Sequence, residues 1–314
     1  MEIVITDGYT LNPGDLDWKQ LEQLGKLTIY ERTEPVTLMD RCFDADIILT
    51  NKTVITKELI DTASRLKLIA VTATGYNNVD VSAARTKGIT VCNVPAYGTF
   101  SVAQHAFALL LELINHVGLN AASAANGEWS KAKDWCYTIK PIVELKDKVI
   151  GIVGLGKIGK QMAVIARAFG MKVIYFGGRE QLSDAMQVDL PQLFIQADVI
   201  SLHCPLTKEN TGFVNRELLE LMKPTSILIN TARGALINEK DLAQALQQGR
   251  IAGAGLDVLS TEPPPKDHPL IGLENCIITP HNAWISFEAR QRIMNVTIAN
   301  VQSFLNGKPQ NVVV

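Results

Sequence analysis

Residues 148–160 read Lys148-Val-Ile-Gly-Ile-Val-Gly-Leu-Gly-Lys-Ile-Gly-Lys160. The segment begins as a short apolar run, Val149 to Val153, which is typical of a buried parallel strand. It continues through glycines at the G-x-G-x-x-G spacing into residues 161–169, whose apolar positions recur at helical spacing. A strand, this glycine pattern and a helix in succession form the fingerprint of a dinucleotide-binding turn.

Each glycine has a physical task in such a turn. Gly154 permits the tight turn, Gly156 lets the backbone approach a pyrophosphate, and Gly159 lets the helix pack close to the strand. The helix start offers N–H groups and a positive dipole end to the phosphates. The alternative is a chance run of small residues, but the complete strand–turn–helix context favours nucleotide binding.

The composition describes a globular chain with no sign of disorder. Its 314 residues suggest two domains, and 47% hydrophobic with 20% charged residues is enough to bury a sizeable core. A net charge of −2 gives no basic footprint for nucleic acid and no strong attraction to anionic membranes.

The five cysteines are scattered without C-x-x-C pairing or histidine spacing. They are typical of buried thiols in a reducing compartment, and the sequence predicts no metal site. The first residues read as a strand and not as a secretory signal, and no apolar run reaches membrane-spanning length. We therefore expect a soluble cytoplasmic protein.

Alternating strand and helix patterns run through most of the chain and predict an α/β fold with two Rossmann-like domains, each a doubly wound parallel sheet, and a cleft between them. The glycine-rich turn lies in the second series of repeats, so we assign the dinucleotide-binding Rossmann domain to residues 99–284. The helical pattern of residues 286–306 should carry the chain back to the first domain. The substrate domain, flavodoxin-like, is then residues 1–98 plus 285–314.

A long apolar segment, residues 97–125, separates the two series. Ser101 is a plausible N-cap and Gly118 an interruption of the helix expected there. The segment is too apolar on all sides for a surface helix, so we expect it to cross between domains or to pack against another subunit. His105 and His116 on it are expected to be packing residues.

Polar residues follow successive strands near the end of the second domain. Arg233 follows one strand, Asp257 ends the next with Glu262 just beyond it, and His281 follows the last. Strand ends share one edge of a parallel sheet, where a dinucleotide binds. Arginine, carboxylate and histidine are what reversible reduction of a 2-oxo acid needs.

In this reaction Arg233 can hold the substrate carboxylate and polarise the ketone. His281 can donate the proton, and Glu262 can orient the imidazole and favour its protonated form. Taken singly, each of these residues could equally be a surface charge or a turn residue. Their joint occurrence at successive strand ends favours the catalytic interpretation.

Five motifs together resemble the D-isomer-specific 2-hydroxyacid dehydrogenase family, in that family's order and over essentially the whole chain. They are Gly154-Leu-Gly-Lys-Ile-Gly159, His203-Cys-Pro-Leu-Thr207, Asn230-Thr-Ala-Arg-Gly234, Gly255-Leu-Asp-Val258 with Glu262-Pro263, and Pro280-His281. Residues 7–16, 74–80 and 281–284 look like the glycerate dehydrogenase/hydroxypyruvate (glyoxylate) reductase branch.

The resemblance implies roles for further residues. It makes Arg233, Glu262 and His281 the catalytic set, Asp257 a partner of the nicotinamide amide, and the protein a homodimer formed largely through the nucleotide domain. The implied substrate-binding residues are Ala73, Thr74, Gly75, Arg233, His281 and Trp284. The implied cofactor-binding residues are Gly154, Leu155, Gly156, Lys157, Ile158, Gly159, Gly177, Gly178, Arg179, His203, Cys204, Pro205, Thr207, Thr231, Ala232, Arg233, Asp257, His281 and Ala283. Trp284 is equally well explained as a core aromatic.

The cofactor is predicted to be NADP, with NAD as the alternative. In an NAD site the strand after the glycine turn ends in an acidic residue that binds the ribose. Here the strand is followed by Gly177-Gly-Arg-Glu180, which offers space and a cation for a 2′-phosphate. In the alternative, Arg179 is solvated and Glu180 binds the ribose.

The sequence thus predicts NAD(P)H-dependent reduction of a small 2-oxo acid, hydroxypyruvate to D-glycerate or glyoxylate to glycolate. Oxidation of another 2-hydroxy acid, such as D-3-phosphoglycerate, is an alternative within the same class, as are formate and phosphite oxidation. The alternative from another class is a non-enzymatic protein that senses dinucleotides.

Overall fold

The computed structural model describes residues 1–178 and 181–314. The chain divides into two compact units, the first formed by Met1–Tyr97 with Ile285–Val314 and the second by Gly98–Trp284. These bounds differ by one residue from those expected from the sequence. Each unit has its own parallel sheet.

The sheet of the first unit has the flavodoxin-like strand order β2-β1-β3-β4-β5, with every pair parallel. Its strands are β1 Glu2–Ile5, β2 Lys26–Ile29, β3 Ile47–Thr50, β4 Leu68–Val71 and β5 Thr90–Cys92. All residues of β3 and β4 are buried, as expected for central strands covered on both faces.

Helices connect these strands, and one more follows the second unit. They are α1 Gly8–Leu11, α2 Lys19–Glu22, α3 Pro35–Cys42, α4 Lys57–Thr62, α5 Val81–Thr86 and the C-terminal helix Phe287–Leu305. The last residues return to the sheet, because Val312 forms an antiparallel bridge with Cys92. On the C-terminal helix, the guanidinium of Arg290 donates two hydrogen bonds of 2.6 Å to the carboxylate of Asp15.

Residues 7–14 are rich in turn-forming residues but contain the short helix α1. The Asp7 side chain does not cap that helix. It accepts hydrogen bonds from the backbone N–H groups of Asn51, Lys52 and Thr53 instead. Asp7 therefore fixes the loop that follows β3.

The sheet of the second unit has the order β12-β11-β10-β9-β6-β7-β8, again parallel throughout. Its strands are β6 Val149–Val153, β7 Lys172–Phe176, β8 Met186–Gln187, β9 Val199–Leu202, β10 Ile227–Asn230, β11 Gly253–Leu256 and β12 Cys276–Ile278. Counted within the unit, this is the 3-2-1-4-5-6 order of dinucleotide-binding folds with a seventh strand added. Successive strands are added in one direction from β6 to β8 and in the opposite direction from β9 to β12, and such folds bind their ligand at this switch point between β6 and β9.

Helices cover both faces of this sheet. They are α6 Thr99–Asn115, α7 Val117–Ala125, α8 Glu128–Lys131, α9 Lys157–Ala168, α10 Leu190–Gln196, α11 Arg216–Leu221, a 3-10 turn at Gly234–Leu236, and α12 Glu239–Gln247. Ile150 and Ile152 of β6 pack in one cluster with Phe107 of α6. Val153 points to the opposite face and packs with Phe194 of α10. Because successive side chains of a strand point to opposite faces of the sheet, β6 contributes to two separate hydrophobic clusters.

The long apolar segment differs from its prediction in three ways. Gly98, and not Ser101, is the N-cap, and the helix breaks at His116, whose φ of 51° is left-handed, and not at Gly118. The apolar face of α6 packs within its own unit, against α9, β10 and β11, which contradicts a helix crossing between domains, whereas packing of the segment against another subunit stays a prediction. Among the described residues no single helix is long and apolar enough to span a membrane, although α6 and α7, bent by 58°, pass together by length and composition.

Candidate active site

The glycine-rich turn lies between β6 and α9, at the point where the strand order reverses. Gly154 has φ +96°, and a Cβ built there would lie 2.5 Å from the backbone nitrogen of Cys204, after β9. A Cβ on Gly159 would lie 2.4 Å from the carbonyl oxygen of Gly154. Both positions therefore exclude a side chain, the first by close strand-to-turn approach and the second by close helix packing.

Gly156 differs from these two, because a Cβ there would meet no atom within 4 Å. It lines a cavity of about 510 Å³ that extends over the carboxyl ends of β6, β7 and β9. Open space beside bare backbone at the start of α9 fits a pyrophosphate, whose charge the helix terminus would stabilise. The residues present therefore fit a dinucleotide.

About half of the predicted cofactor-binding set lines this cavity. Those residues are Gly154, Leu155, Gly156, Lys157, Gly177, Gly178, His203, Cys204 and Pro205. The cavity is also lined by residues that the sequence did not suggest: Val153, Phe176, Leu190, Asn210 and Phe213. Asn210 holds the adjoining loop, because its side chain accepts from Thr207 N at 2.7 Å and donates to Pro205 O at 2.8 Å.

The two glycines after β7 have different surroundings. Gly177 has φ +66° with open space around it, whereas a Cβ on Gly178, at φ +114°, would lie 2.7 Å from the backbone of Leu155. Gly178 is thus needed for packing against the glycine-rich turn. Arg179 and Glu180, on which the predicted cofactor preference rests, lie outside the described residues.

His203 follows β9 and is half-buried against the cavity. Its Nε2 lies 2.8 Å from the hydroxyl of Ser201. Burial lowers the pKa of His203 to about 4, because a charged imidazolium is poorly solvated there. The neutral form of His203 is therefore favoured at physiological pH.

Arg233 lies three residues after β10, in a turn fixed by Asn230. The fully buried Asn230 side chain donates to the carbonyl of Arg233 at 2.9 Å and accepts from Ala232 N at 3.0 Å. The guanidinium is exposed, with one N–H donating to the carbonyl of Ala232 at 2.7 Å. The backbone is thus rigid while the charged group stays available to an anion.

Glu262 and His281 form a direct pair. Nδ1 of His281 lies 2.6 Å from Oε2 of Glu262, and Oε1 of Glu262 accepts a hydrogen bond of 3.0 Å from the backbone N–H of Leu259. Because a carboxylate can only accept, Nδ1 carries a proton. Nε2 is then the ring nitrogen that can exchange a proton with a substrate.

Asp257, directly after β11, holds the segment that carries His281. The carboxylate is 1% exposed and accepts from the backbone N–H groups of Asn282 and Ala283, each at 2.9 Å, and from the Thr279 hydroxyl at 2.7 Å. The backbone N–H of His281 lies 2.9 Å from the Asp257 carbonyl. His281 itself has φ +51°, a left-handed conformation that persists only where the surroundings enforce it.

Helix α6 supports the same segment from the other side. Nε2 of His105 lies 2.9 Å from the Thr279 hydroxyl, and Ser101 donates to the carbonyl of Ala283 at 2.6 Å. His105, expected to be a packing residue, is therefore hydrogen-bonded to the machinery around His281. No local sequence pattern indicates this contact, since 174 residues separate the partners.

The structure also places two predicted substrate-binding groups, residues 73–75 and Trp284. Thr74, in the first unit, donates its hydroxyl to the carbonyl of Val94 at 2.8 Å and accepts at its own carbonyl from Asn93 at 2.7 Å, so residues 73–75 form a held loop. Trp284 is 8% exposed. Within the described ranges, no group of three His, Cys, Asp or Glu side chains could hold a metal ion.

The second unit has a parallel sheet with the strand order of dinucleotide-binding folds and a glycine-rich turn at the switch point. Arg233, Glu262 and His281 follow the three adjacent strands β10, β11 and β12. These features together define a nicotinamide-dependent oxidoreductase. Comparison with known proteins agrees. Residues 107–283 match the model of the D-isomer specific 2-hydroxyacid dehydrogenase NAD binding domain. The chain belongs to this family and is an NAD(P)-dependent enzyme.

Relatives that cover at least 90% of the chain are similar to it in sequence, and one of them is a solved structure. A hydroxypyruvate reductase of Blautia hydrogenotrophica is 47% identical, covering 100% of this chain and 99% of its own. A glycerate dehydrogenase of Methylorubrum extorquens is 42% identical, covering 90% of each chain. An acyclic imino acid reductase solved with NADPH and D-Arg superposes with a TM-score of 0.88 at 36% identity, covering 100% of both chains.

Proposed function

We propose that the protein reduces small 2-oxo acids with NAD(P)H, converting hydroxypyruvate to D-glycerate and glyoxylate to glycolate. The observation that carries the proposal is the Glu262–His281 pair, in which Oε2 and Nδ1 are 2.6 Å apart. The pair lies at the same edge of the sheet as Arg233, where the carboxyl ends of the strands meet. The names of the relatives, hydroxypyruvate reductase and glycerate dehydrogenase among them, support this substrate class.

A dinucleotide held at the turn of Gly154, Gly156 and Gly159 would supply the hydride from its nicotinamide. The exposed guanidinium of Arg233 binds the substrate carboxylate and polarises the ketone, for which its planar donors are suited. His281 donates the proton from Nε2 to the substrate oxygen, which becomes the hydroxyl group of the product. Glu262 fixes the ring orientation and stabilises the positive charge that the imidazole carries before it gives up this proton.

The remaining predicted contacts belong to the same proposal. We assign the held loop of Ala73, Thr74 and Gly75 to the substrate carboxylate, through its backbone N–H groups. Asp257 is assigned to the nicotinamide amide, although its side chain already accepts three hydrogen bonds from Thr279, Asn282 and Ala283. Trp284 is assigned to the edge of a small substrate pocket.

We further propose a preference for NADP over NAD. The tip of β7 carries glycines where an NAD site has a carboxylate, and Arg179 follows them in the sequence. The similarity to a reductase solved with NADPH is consistent with this preference. Arg179→Ala should lower kcat/KM with NADPH by about tenfold, the value of one lost charge-assisted bond, and leave kcat/KM with NADH unchanged.

The proposal also includes a homodimer formed through the second unit. The apolar face of α6 is covered by its own unit, but the residues after it carry apolar side chains that are exposed in the single chain. They include Val117 at 61%, Trp129 at 57%, Trp135 at 91% and Ile142 at 58%. Light scattering after gel filtration should give twice the chain mass of 34.4 kDa.

Initial rates test the activity. Hydroxypyruvate, glyoxylate, pyruvate and 3-phosphohydroxypyruvate are each assayed with NADPH and NADH, on the wild type and on His281→Ala. We expect fast turnover of hydroxypyruvate, lost in the variant while the dinucleotide still binds. Preference for the phosphorylated acid would indicate the phosphoglycerate activity. Tight dinucleotide binding without turnover of any acid would refute the proposal and favour a sensing protein.

A further inference from the structure

A half-buried carboxylate outside the predicted catalytic set contacts the loop that carries Glu262. Glu239 is the first residue of α12, and its side chain is 13% exposed. Oε1 accepts a hydrogen bond of 2.7 Å from the backbone N–H of Ser260, and Oε2 accepts one of 2.5 Å from the Ser260 hydroxyl. Both carboxylate oxygens of Glu239 thus bind Ser260, in the loop of residues 259–262.

His268 holds this carboxylate from the other side. Its Nε2 lies 3.2 Å from Oε2 of Glu239, and its Nδ1 accepts from the backbone N–H of Leu270 at 3.4 Å. Since Nδ1 accepts, Nε2 carries the proton and donates it to Glu239. The His268 side chain is only 5% exposed, so the pair is shielded from water, where such bonds are strongest and most costly to break.

The backbone of the Arg233 turn touches the same loop. A Cβ built on Gly234 would lie 1.9 Å from the carbonyl carbon of Leu259 and 2.3 Å from the nitrogen of Ser260. Gly234 therefore lies in direct backbone contact with this loop, five residues before Glu239. Residues 233–239 therefore contact Leu259 and Ser260 at two points, Gly234 and Glu239, and form one supported piece with the 259–262 loop.

Glu262 is fixed within that piece. The backbone N–H of Leu259 donates to Oε1 of Glu262, and Leu259 directly precedes Ser260, which is bound to Glu239. A shift of Ser260 would move this donor, and with it the carboxylate that lies 2.6 Å from Nδ1 of His281. We propose that Glu239, held by His268, is a positioning residue for the Glu262–His281 pair, an inference that rests on the proposed reductase function for its kinetic part.

A double-mutant cycle separates positioning from a merely structural role. Glu239→Gln keeps the shape but places an amide N–H group against one of its present donors, so we expect kcat to fall about tenfold. KM for hydroxypyruvate and the Kd of the dinucleotide should stay within about twofold of the wild type. In a Glu262→Gln background the same substitution should change kcat by less than about twofold, because it acts through Glu262.

Glu274→Gln is the matched control, since the Glu274 side chain is 91% exposed and pairs only at the surface with Lys140. It should leave kcat unchanged in either background. If Glu239→Gln instead lowers the melting temperature and its effect on kcat is the same with and without Glu262, the residue is structural and the proposal fails.

A second readout needs no turnover. The chain has five histidines, so the side-chain ¹H–¹⁵N spectrum is simple, and the His281 signal is identified by its loss in His281→Ala. Glu239→Gln should shift the His281 ring signals as well as those of His268. A shift confined to His268 would overturn the inference, whatever the substrate, and wild-type inactivity towards all 2-oxo acids would overturn only the proposed function.

Discussion

Replacing Glu262 by glutamine is the sharpest test of the proposed mechanism. The carboxylate now accepts from two donors, Leu259 N–H at Oε1 and His281 Nδ1–H at Oε2. An amide has one oxygen, and the backbone N–H of Leu259 requires it. The amide NH₂ group then faces Nδ1 of His281, which must give up its proton to accept a hydrogen bond. The imidazole is left as the neutral form with a proton only on Nε2, a weak acid for reduction and the wrong tautomer for oxidation.

The size of the effect follows from the bond that is lost. A charge-assisted hydrogen bond contributes about 1.5–3 kcal/mol, which corresponds to a fall in kcat of roughly 10- to 150-fold. Dinucleotide affinity should not change, because Glu262 does not line the cavity at the glycine turn. We therefore expect an enzyme that binds its cofactor normally and turns over slowly in both directions.

The assay is steady-state kcat for hydroxypyruvate reduction and for D-glycerate oxidation at saturating dinucleotide, with dinucleotide Kd from fluorescence titration. Glu274→Gln makes the same chemical change at the surface and should behave as the wild type. A kcat for Glu262→Gln within about threefold of the wild type in both directions would refute the tautomer argument.

Three further predictions concern the second unit and the cysteines. Gly177→Ala should lower the unfolding free energy by about 1 kcal/mol because of its left-handed φ. Gly178→Ala should lower it by more than about 2 kcal/mol and weaken dinucleotide binding, because the added Cβ would clash with Leu155. Equal losses for the two variants in urea unfolding would contradict this prediction. The pKa of His203 is about 4 in the folded chain, below its ordinary value of about 6.5. Below pH 6.5 the unfolded chain therefore binds a proton that the folded chain does not. The free energy of unfolding should fall towards pH 4 by up to about 1.4 kcal/mol per pH unit. His203→Gln should flatten that slope in melts at pH 7 and pH 5, and an unchanged slope would count against it. Burial raises the thiol pKa of three cysteines to about 12, so a thiol reagent at pH 8 should modify them only after unfolding, and rapid labelling by mass spectrometry would disprove this for Cys42, Cys92 and Cys276.

The central strands could be predicted from sequence because burial on both faces leaves an apolar run with clear ends. Residues 149–153 were predicted as a strand with the bounds that the structure has. The short elements α1 and β8 were missed, since four and two residues carry too little periodicity. The break at His116 was placed at Gly118 because a glycine was the stronger local signal, while the actual residue adopts a left-handed conformation.

The side chains proposed to carry the chemistry were selected because the carboxyl ends of the strands in a parallel sheet meet at one edge, and their catalytic roles stay predictions. The residues that hold them were not selected. Asn230, Glu239 and His105 act through hydrogen bonds to groups 3, 21 and 174 residues away, and nothing in their local sequence distinguishes them from ordinary polar positions. Support of this kind depends on three-dimensional placement, which a single sequence does not supply.

The order of strands in the second unit has a consequence for how such an enzyme can change. The loop that follows β7 lies on one side of β6, and the strands that carry Arg233, Asp257 and His281 lie on the other, beyond β9. Neighbouring strands are about 4.8 Å apart, so roughly 14 Å of sheet separates β7 from β10. Under the proposed function, a few substitutions after β7 would therefore exchange one dinucleotide for another and leave the Glu262–His281 pair unchanged. In an evolving lineage or in the laboratory, the source of reducing power and the identity of the substrate become independently adjustable traits.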